Sequence, residues 1–230
     1  MGQVDEWLDT KPPESGTTKQ AFEALYAKAV DLGSSSNGSF GLKLFPRHLL
    51  VLQKKYGVDV FHRLSQDFET MRLFVERRDR VAQAISFSRA LQTGQWSSEG
   101  PRRDVKATYD FAQICRLYFL IGESYAFWRD YLAATGSSYE HVYYEDMVSF
   151  DDVLNTCAAF FGLGVEGFEP SPLKVQRDAM TDEFKERFKA DLRVRSPLEF
   201  HPKLQAPDRT ASNLAKAFRG QQTKPYPFSY

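Results

Sequence analysis

The sequence has no long apolar run. A helix that spans a bilayer needs about 20 consecutive apolar residues, and no segment of this chain approaches that pattern. The N-terminal residues, MGQVDEWLDTKPPE, also lack the apolar core of a secretory signal peptide. We therefore expect a cytoplasmic protein without a membrane span.

The chain also lacks an excess of charge and a metal-binding pattern. Its 30 basic side chains balance its 30 acidic ones, which argues against a dedicated nucleic-acid binder. Cys115 and Cys157 lie far apart within helical patterns, where a thiol usually acts as a small buried hydrophobe. The histidines show no ligand spacing, so we expect no metal site. Any anion site in this chain must be local.

Common catalytic motifs are missing as well. The chain has no Gly-x-Ser-x-Gly hydrolase elbow, and no GxxxxGK[ST] or GxGxxG loop to bind a 5′-phosphate. Adjacent carboxylates such as Glu145 and Asp146 are explained by strand ends and first helical turns, where acidic groups favour the helix dipole. The catalytic residues therefore stay unknown at this stage.

The chain has enough apolar residues to form a hydrophobic core. Hydrophobic residues make up 42% of the chain and aromatic residues 14%. We expect one domain over residues 1–195, followed by a proline-containing tail over 196–230 that lies on or extends from it.

The apolar patterns predict alternating strands and helices. Short apolar runs predict strands at 40–45, 73–75 and 141–144. Helical spacing predicts helices at 18–32, 47–56, 59–66 and 105–135, and others that start after Asp79, at Ser149 and at Thr181. This alternation favours an α/β layered fold with a mainly parallel sheet flanked by helices. The broad aromatic stripe of 105–135 favours core packing and leaves open a homodimer interface or an acceptor wall.

The segment Met71 to Trp96 combines a buried strand, a basic turn and a helix. A helix N-terminus carries unpaired N–H groups and partial positive charge, and Arg77 and Arg78 add permanent cations beside it. Asp79 is the expected N-cap. This arrangement indicates a phosphate site, and the alternative is an ordinary solvated surface.

The same segment resembles the 3′-phosphate-binding unit of sulfotransferases that use 3′-phosphoadenosine-5′-phosphosulfate (PAPS), specifically the bacterial trehalose-sulfotransferase-like family. The matching residues are Arg77, Asp79, Gln83-Ala84-Ile85-Ser86, Arg89-Ala90-Leu91-Gln92-Thr93 and Trp96. Further matches follow in family order at Phe40-Gly41-Leu42-Lys43, Tyr144-Glu145-Asp146-Met147, Gln176-Arg177 and Thr181-Asp182-Glu183-Phe184. The resemblance covers roughly residues 5 to 195.

The resemblance implies a P-loop-type fold and a sulfotransferase reaction. PAPS, or its product adenosine 3′,5′-bisphosphate, would be the nucleotide, and the acceptor would be a hydroxyl of a carbohydrate or glycolipid-like molecule. Arg77 and Ser86 would bind the 3′-phosphate, with Arg177 as a third candidate. No metal is implied.

The resemblance also implies that part of the donor site is absent. In the family, a first strand, a phosphosulfate loop and the expected catalytic carboxylate precede the counterpart of Glu6-Trp7. These parts are not found in the sequence, so we expect an N-terminally truncated chain that lacks the first strand and P-loop. The alternative is a catalytically inactive remnant that binds the bisphosphate weakly or acts only through protein contacts.

Overall fold

A computed structural model describes residues 17–36, 38–96, 103–148, 151–162 and 178–202, together with Leu8 and Gly164. The chain divides into two compact units. Unit 1 comprises Met1–Phe74, Phe127–Glu140 and Ser149–Val165, and unit 2 comprises Val75–Ala126, His141–Val148 and Glu166–Tyr230. The domain boundary at residue 195 stays a prediction, and the tail beyond Pro202 lies outside the described residues.

The elements follow in the order helix, helix, helix, strand, helix, helix, strand, helix, helix. They are α1 (Thr18–Gly33), α2 (Pro46–Tyr56), α3 (Val60–Asp67), β1 (Leu73–Glu76), α4 (Arg80–Thr93), α5 (Phe111–Thr135), β2 (Glu140–Tyr143), α6 (Asp151–Phe160) and α7 (Ala179–Asp191). Short 3-10 helices span Tyr144–Val148 and Pro197–Phe200. The described fold is mixed α/β, mostly helical, and β1 and β2 pair as a parallel two-stranded sheet. The predicted α/β class is confirmed.

The strand predicted at 40–45 is wrong. This run forms no strand, and its Phe40 makes only an isolated antiparallel bridge with Ser34. Phe40, Leu42 and Leu44 pack against the core of unit 1. The alternating apolar pattern therefore reflects one-sided burial of an irregular segment rather than pairing in a sheet.

Strand β1 also differs from the fully buried strand that was predicted. Phe74 is buried, whereas the side chains of Leu73 and Val75 are 39% and 44% exposed. Successive side chains of a strand point to opposite faces, so only one face of β1 is covered.

Two helix starts differ from prediction because aspartates cap them. Helix α5 begins at Phe111 rather than 105, where the Asp110 carboxylate accepts the Gln113 N–H at 2.9 Å. Helix α7 begins at Ala179 rather than Thr181, since Asp178 accepts the Thr181 N–H at 3.0 Å. Ser149, predicted to start α6, lies outside the described residues.

Unit 1 is built from α1, α2 and α3 around aromatic side chains. Thr17 and Gln20 form a capping box at α1, with the Gln20 N–H 3.2 Å from Thr17 Oγ1 and the Thr17 N–H 2.9 Å from Gln20 Oε1. The fully buried Phe22 and Val60 belong to the core, and Tyr131 packs against it. Asp59 caps α3 and also accepts a hydrogen bond from the Tyr131 hydroxyl at 2.6 Å.

Unit 2 contains α4, most of α5, and α7. Ile85 of α4 and Ile114 of α5 are fully buried, and Phe184 and Phe188 of α7 are buried as well. The Phe111 and Phe188 rings lie 5.2 Å apart. Much of the apolar stripe of α5 is therefore core, as expected.

Candidate anion site at the β1 to α4 turn

Strand β1 ends at Glu76 and α4 begins at Arg80, which leaves a short turn of Arg77, Arg78 and Asp79. The Asp79 carboxylate accepts the Ala82 N–H at 3.0 Å, as an N-cap does. The predicted N-cap is confirmed.

Glu145 occupies the backbone donors of this turn. Its carboxylate accepts the Arg78 N–H at 3.0 Å and the Asp79 N–H at 3.2 Å. Burial raises the pKa of Glu145, but the N–H groups of Arg78, Asp79 and Glu145 itself, together with the Arg77 charge, hold the pKa below its ordinary value. A phosphate at this turn must therefore rely on side chains rather than on these N–H groups.

Several cations around the turn are neutralised by carboxylates. Arg78 pairs in bidentate fashion with Asp146, with 2.6 Å between Nη2 and Oδ2. Lys185 of α7 pairs with Asp79. These charges stabilise the fold and are not available to an anion without breaking an ion pair.

Arg89 makes a third such pair, between α4 and α7. Its guanidinium donates two hydrogen bonds of 2.7 Å to Asp178 and one of 2.5 Å to the Thr181 hydroxyl. The Arg89 guanidinium is the main cause that lowers the pKa of Asp178 to about 2. This pair fixes the first turn of α7 on α4.

Arg77 differs from these cations. Its guanidinium lies over the Tyr144 ring, 4.1 Å from the centroid, and its Nε is buried without a hydrogen-bond partner. It forms no ion pair within the described part of the chain. A buried donor without a partner costs about 1–3 kcal/mol, so this geometry suits a group that meets an anionic ligand.

A hydrogen-bonded chain fixes the backbone of Arg77. Its N–H donates to the Tyr125 hydroxyl at 3.1 Å, and that hydroxyl donates to Gln83 Oε1 at 2.9 Å. Tyr125 lies in α5 and is 7% exposed. Residues of α4 and α5 thus jointly hold the backbone of Arg77 in place.

Ser86 is half-buried on α4, one turn beyond Gln83. Other polar side chains of α4 bond within the protein: Gln83 with Tyr125, Ser88 with Gln113, Arg89 with Asp178, Gln92 with Thr108 and Thr93 with the Arg89 carbonyl. The Ser86 hydroxyl forms no hydrogen bond with any residue that the structure describes. Its donor is therefore available to a ligand.

The comparison with protein families shows which family the chain belongs to. A family model described as Stf0 sulphotransferase matches residues 1–191. The chain belongs to the Stf0 sulphotransferase family. No curated protein matches the chain.

Membership of the Stf0 family confirms the resemblance drawn from residues 71–96. The structure brings Arg77 and the helix that carries Ser86 into one unit, but Arg177 lies outside the described residues, so its role stays a prediction. Trp96, which ends the matched segment, is 63% exposed and packs edge-on against Phe87 with centroids 5.6 Å apart.

Arg80 is a cation of this Stf0 chain that sequence reasoning missed. It opens α4, and its guanidinium lies 5.4 Å from the centroid of the Tyr118 ring. Arg80 has no carboxylate partner among the residues described. The sequence feature that could have pointed to Arg80 is its position two residues after Arg78, in the first turn of a helix whose N-terminus attracts anions.

The described residues also bear on metal, membrane and thiol chemistry. Among them, no cluster of His, Cys, Asp and Glu could hold a metal ion. None of the helices in the described ranges is long and apolar enough to cross a membrane. Cys115 is buried, and burial raises the pKa of its thiol to about 11, so it is a core side chain rather than a nucleophile.

Proposed function

We propose that the chain transfers a sulfuryl group from PAPS to a hydroxyl of a carbohydrate or glycolipid-like acceptor. In this proposal Arg77 and Ser86 bind the 3′-phosphate of the nucleotide, and Arg177 assists them. Membership of the Stf0 sulphotransferase family supports the reaction class.

The proposed site rests on a contrast between polar groups that are paired within the protein and polar groups that have no partner among the described residues. Arg78, Arg89 and Lys185 are each paired with a carboxylate. Among the described residues, Arg77 has a buried donor without a hydrogen-bond partner, and the Ser86 hydroxyl forms no hydrogen bond. Arg77 lies in the turn before α4 and Ser86 nearly two turns inside that helix, and a phosphate has enough acceptor oxygens to bond with both.

The chemistry assigns these residues to binding rather than to bond breaking. In the reaction, the acceptor hydroxyl oxygen forms a bond to sulfur and its proton is released to solvent, while the bond between sulfur and the bridging phosphate oxygen breaks and adenosine 3′,5′-bisphosphate leaves. The 3′-phosphate does not react. Arg77 and Ser86 would therefore supply binding energy that orients the donor.

Calorimetry with adenosine 3′,5′-bisphosphate tests the site. The wild-type chain should bind it, and Arg77→Ala should weaken binding about 10- to 100-fold, the equivalent of one charged hydrogen bond of about 1.5–3 kcal/mol. Arg78→Ala is the matched control, because Arg78 is already paired with Asp146. Equal losses in both variants would overturn the assignment.

A transfer assay with labelled PAPS tests the reaction itself. Turnover by the chain supports an enzyme, whereas bisphosphate binding without transfer to any of a panel of sugars and glycolipids would support a remnant that only binds nucleotide. The measurement is incorporation of label into the acceptor.

A further inference from the structure

A cavity of about 590 Å³ in unit 2 is not used by the proposed nucleotide site. It is lined by Arg103, Asp104, Val105, Lys106 and Met180. The lining combines two cations, one carboxylate and two apolar side chains. That mixture is suited to a polar ligand that also has a carbon face.

The cavity has two walls: residues 103–106 form the first and Met180 the second. Both walls are anchored on the second half of α4. The Arg103 N–H donates to the Thr93 carbonyl at 2.7 Å, and the Val105 N–H donates to the Arg103 carbonyl at 2.8 Å. Met180 lies in the first turn of α7, which Arg89 holds through Asp178. The position of each wall is therefore tied to the helix that carries Ser86.

The first wall also packs closely on the end of α4. Gly94 ends the helix with a φ of 73°, and a Cβ placed there would lie 3.4 Å from Arg103 Nε. The Arg103 side chain thus lies over Gly94, which restricts the directions that its guanidinium can take.

The charged groups of the cavity are free to act on a ligand. Arg103, Asp104 and Lys106 form no ion pair with the described residues, and all three are exposed. Val105 is 50% exposed. Among the described lining residues, two cations outweigh one carboxylate, which favours a ligand that carries a negative charge.

The first wall of the cavity is anchored on the same helix that carries Ser86. Thr93, on which its first wall is anchored, is seven residues after Ser86. Seven residues are almost two helical turns, so both side chains lie on one face, about 10 Å apart along the axis.

We propose that this cavity binds an acceptor sugar that carries an anionic group. Arg103 and Lys106 bind the anionic group, and Asp104 accepts a hydrogen bond from a sugar hydroxyl. The inference rests on the proposed function and deepens it by naming the acceptor class. In the transfer, another hydroxyl of the same sugar releases its proton to solvent and forms the bond to sulfur, adenosine 3′,5′-bisphosphate leaves, and the anionic group of the sugar is unchanged.

A matched pair of acceptors tests this inference on the full chain. Methyl glucuronide and methyl glucoside differ in having a carboxylate or a hydroxymethyl group at one carbon. With labelled PAPS, we expect kcat/KM to be about tenfold higher for the glucuronide, because two cations contact its carboxylate. Equal rates with both sugars would overturn the inference.

Variants of the lining locate the effect. Arg103→Ala and Lys106→Ala should each lower kcat/KM for the glucuronide several-fold while that for the glucoside stays the same, and Lys106→Glu should reverse the preference. Both residues are exposed, so the fold should survive, and Lys54→Ala in α2 is the control for a lost surface charge. Equal losses with both sugars would contradict the inference.

Calorimetry with adenosine 3′,5′-bisphosphate separates the two proposals. The lining variants should bind the bisphosphate as the wild type does. If the chain transfers sulfuryl groups to neither sugar, the inference is overturned. The bisphosphate measurement then shows whether the proposed nucleotide site is wrong as well.

Discussion

Replacing Tyr125 by Phe removes one hydroxyl from the network that fixes the Arg77 turn. That hydroxyl accepts the Arg77 N–H at 3.1 Å and donates to Gln83 Oε1 at 2.9 Å. The aromatic ring of Tyr125, which is 7% exposed, would keep its packing as Phe. The substitution therefore isolates the hydrogen bonds.

The expected cost follows from the two groups left without a partner. An unpartnered buried donor or acceptor costs about 1–3 kcal/mol, and the half-buried Arg77 and Gln83 can recover part of this from water. We expect a loss of about 1–2 kcal/mol in the free energy of unfolding. For a chain of this size that lowers Tm by about 2–8 °C.

Thermal and urea unfolding measure this loss, and the matched control is Tyr118→Phe on the same helix. The Tyr118 hydroxyl forms no hydrogen bond in the described part of the chain, so its removal should change stability by less than about 0.5 kcal/mol. Tyr125→Phe should also weaken bisphosphate binding several-fold, because the Arg77 turn loses an anchor. If Tyr125→Phe were as stable as the wild type, or if both variants lost the same amount, the reasoning would be refuted.

Three further substitutions give distinct results. Ser86→Ala should weaken calorimetric binding of the bisphosphate about tenfold and leave the unfolding free energy unchanged, since Ser86 has no hydrogen bond with the described residues. Asp178, with its pKa lowered to about 2 by Arg89, stabilises the fold fully above its ordinary pKa, and this contribution disappears as pH falls from about 4 to about 2. Because the Asp178 side chain is 49% exposed, about 1 kcal/mol is expected, and Asp178→Asn should remove that pH dependence of urea unfolding. Gly94→Ala should cost about 1–2 kcal/mol in the same measurement, because its φ is 73°.

Sequence patterns predicted those parts of the fold that depend on neighbours along the chain. Asp79 as the N-cap of α4 is one such part, because a capping carboxylate and the N–H that it accepts lie within three residues. The failure at 40–45 has a physical reason: alternation reports which side chains are buried, and it does not report whether the backbone pairs in a sheet.

The polar geometry of the site could not be read in the same way. Arg77 and Arg78 are adjacent and chemically identical, and nothing local tells which of them is free. Their difference comes from Asp146, which pairs with Arg78 and lies 68 residues away in sequence. The resemblance to a family selected Arg77, and its role in binding a 3′-phosphate stays a prediction.

The most direct test of the central claim is a thermodynamic cycle between Arg77 and the 3′-phosphate. Calorimetry would compare adenosine 3′,5′-bisphosphate with adenosine 5′-monophosphate, which lacks that phosphate, on the wild type and on Arg77→Ala. We predict that the wild type prefers the bisphosphate and that Arg77→Ala loses most of this preference, a coupling of about 1.5–3 kcal/mol. An equal preference in both proteins would contradict the claim that Arg77 binds the 3′-phosphate.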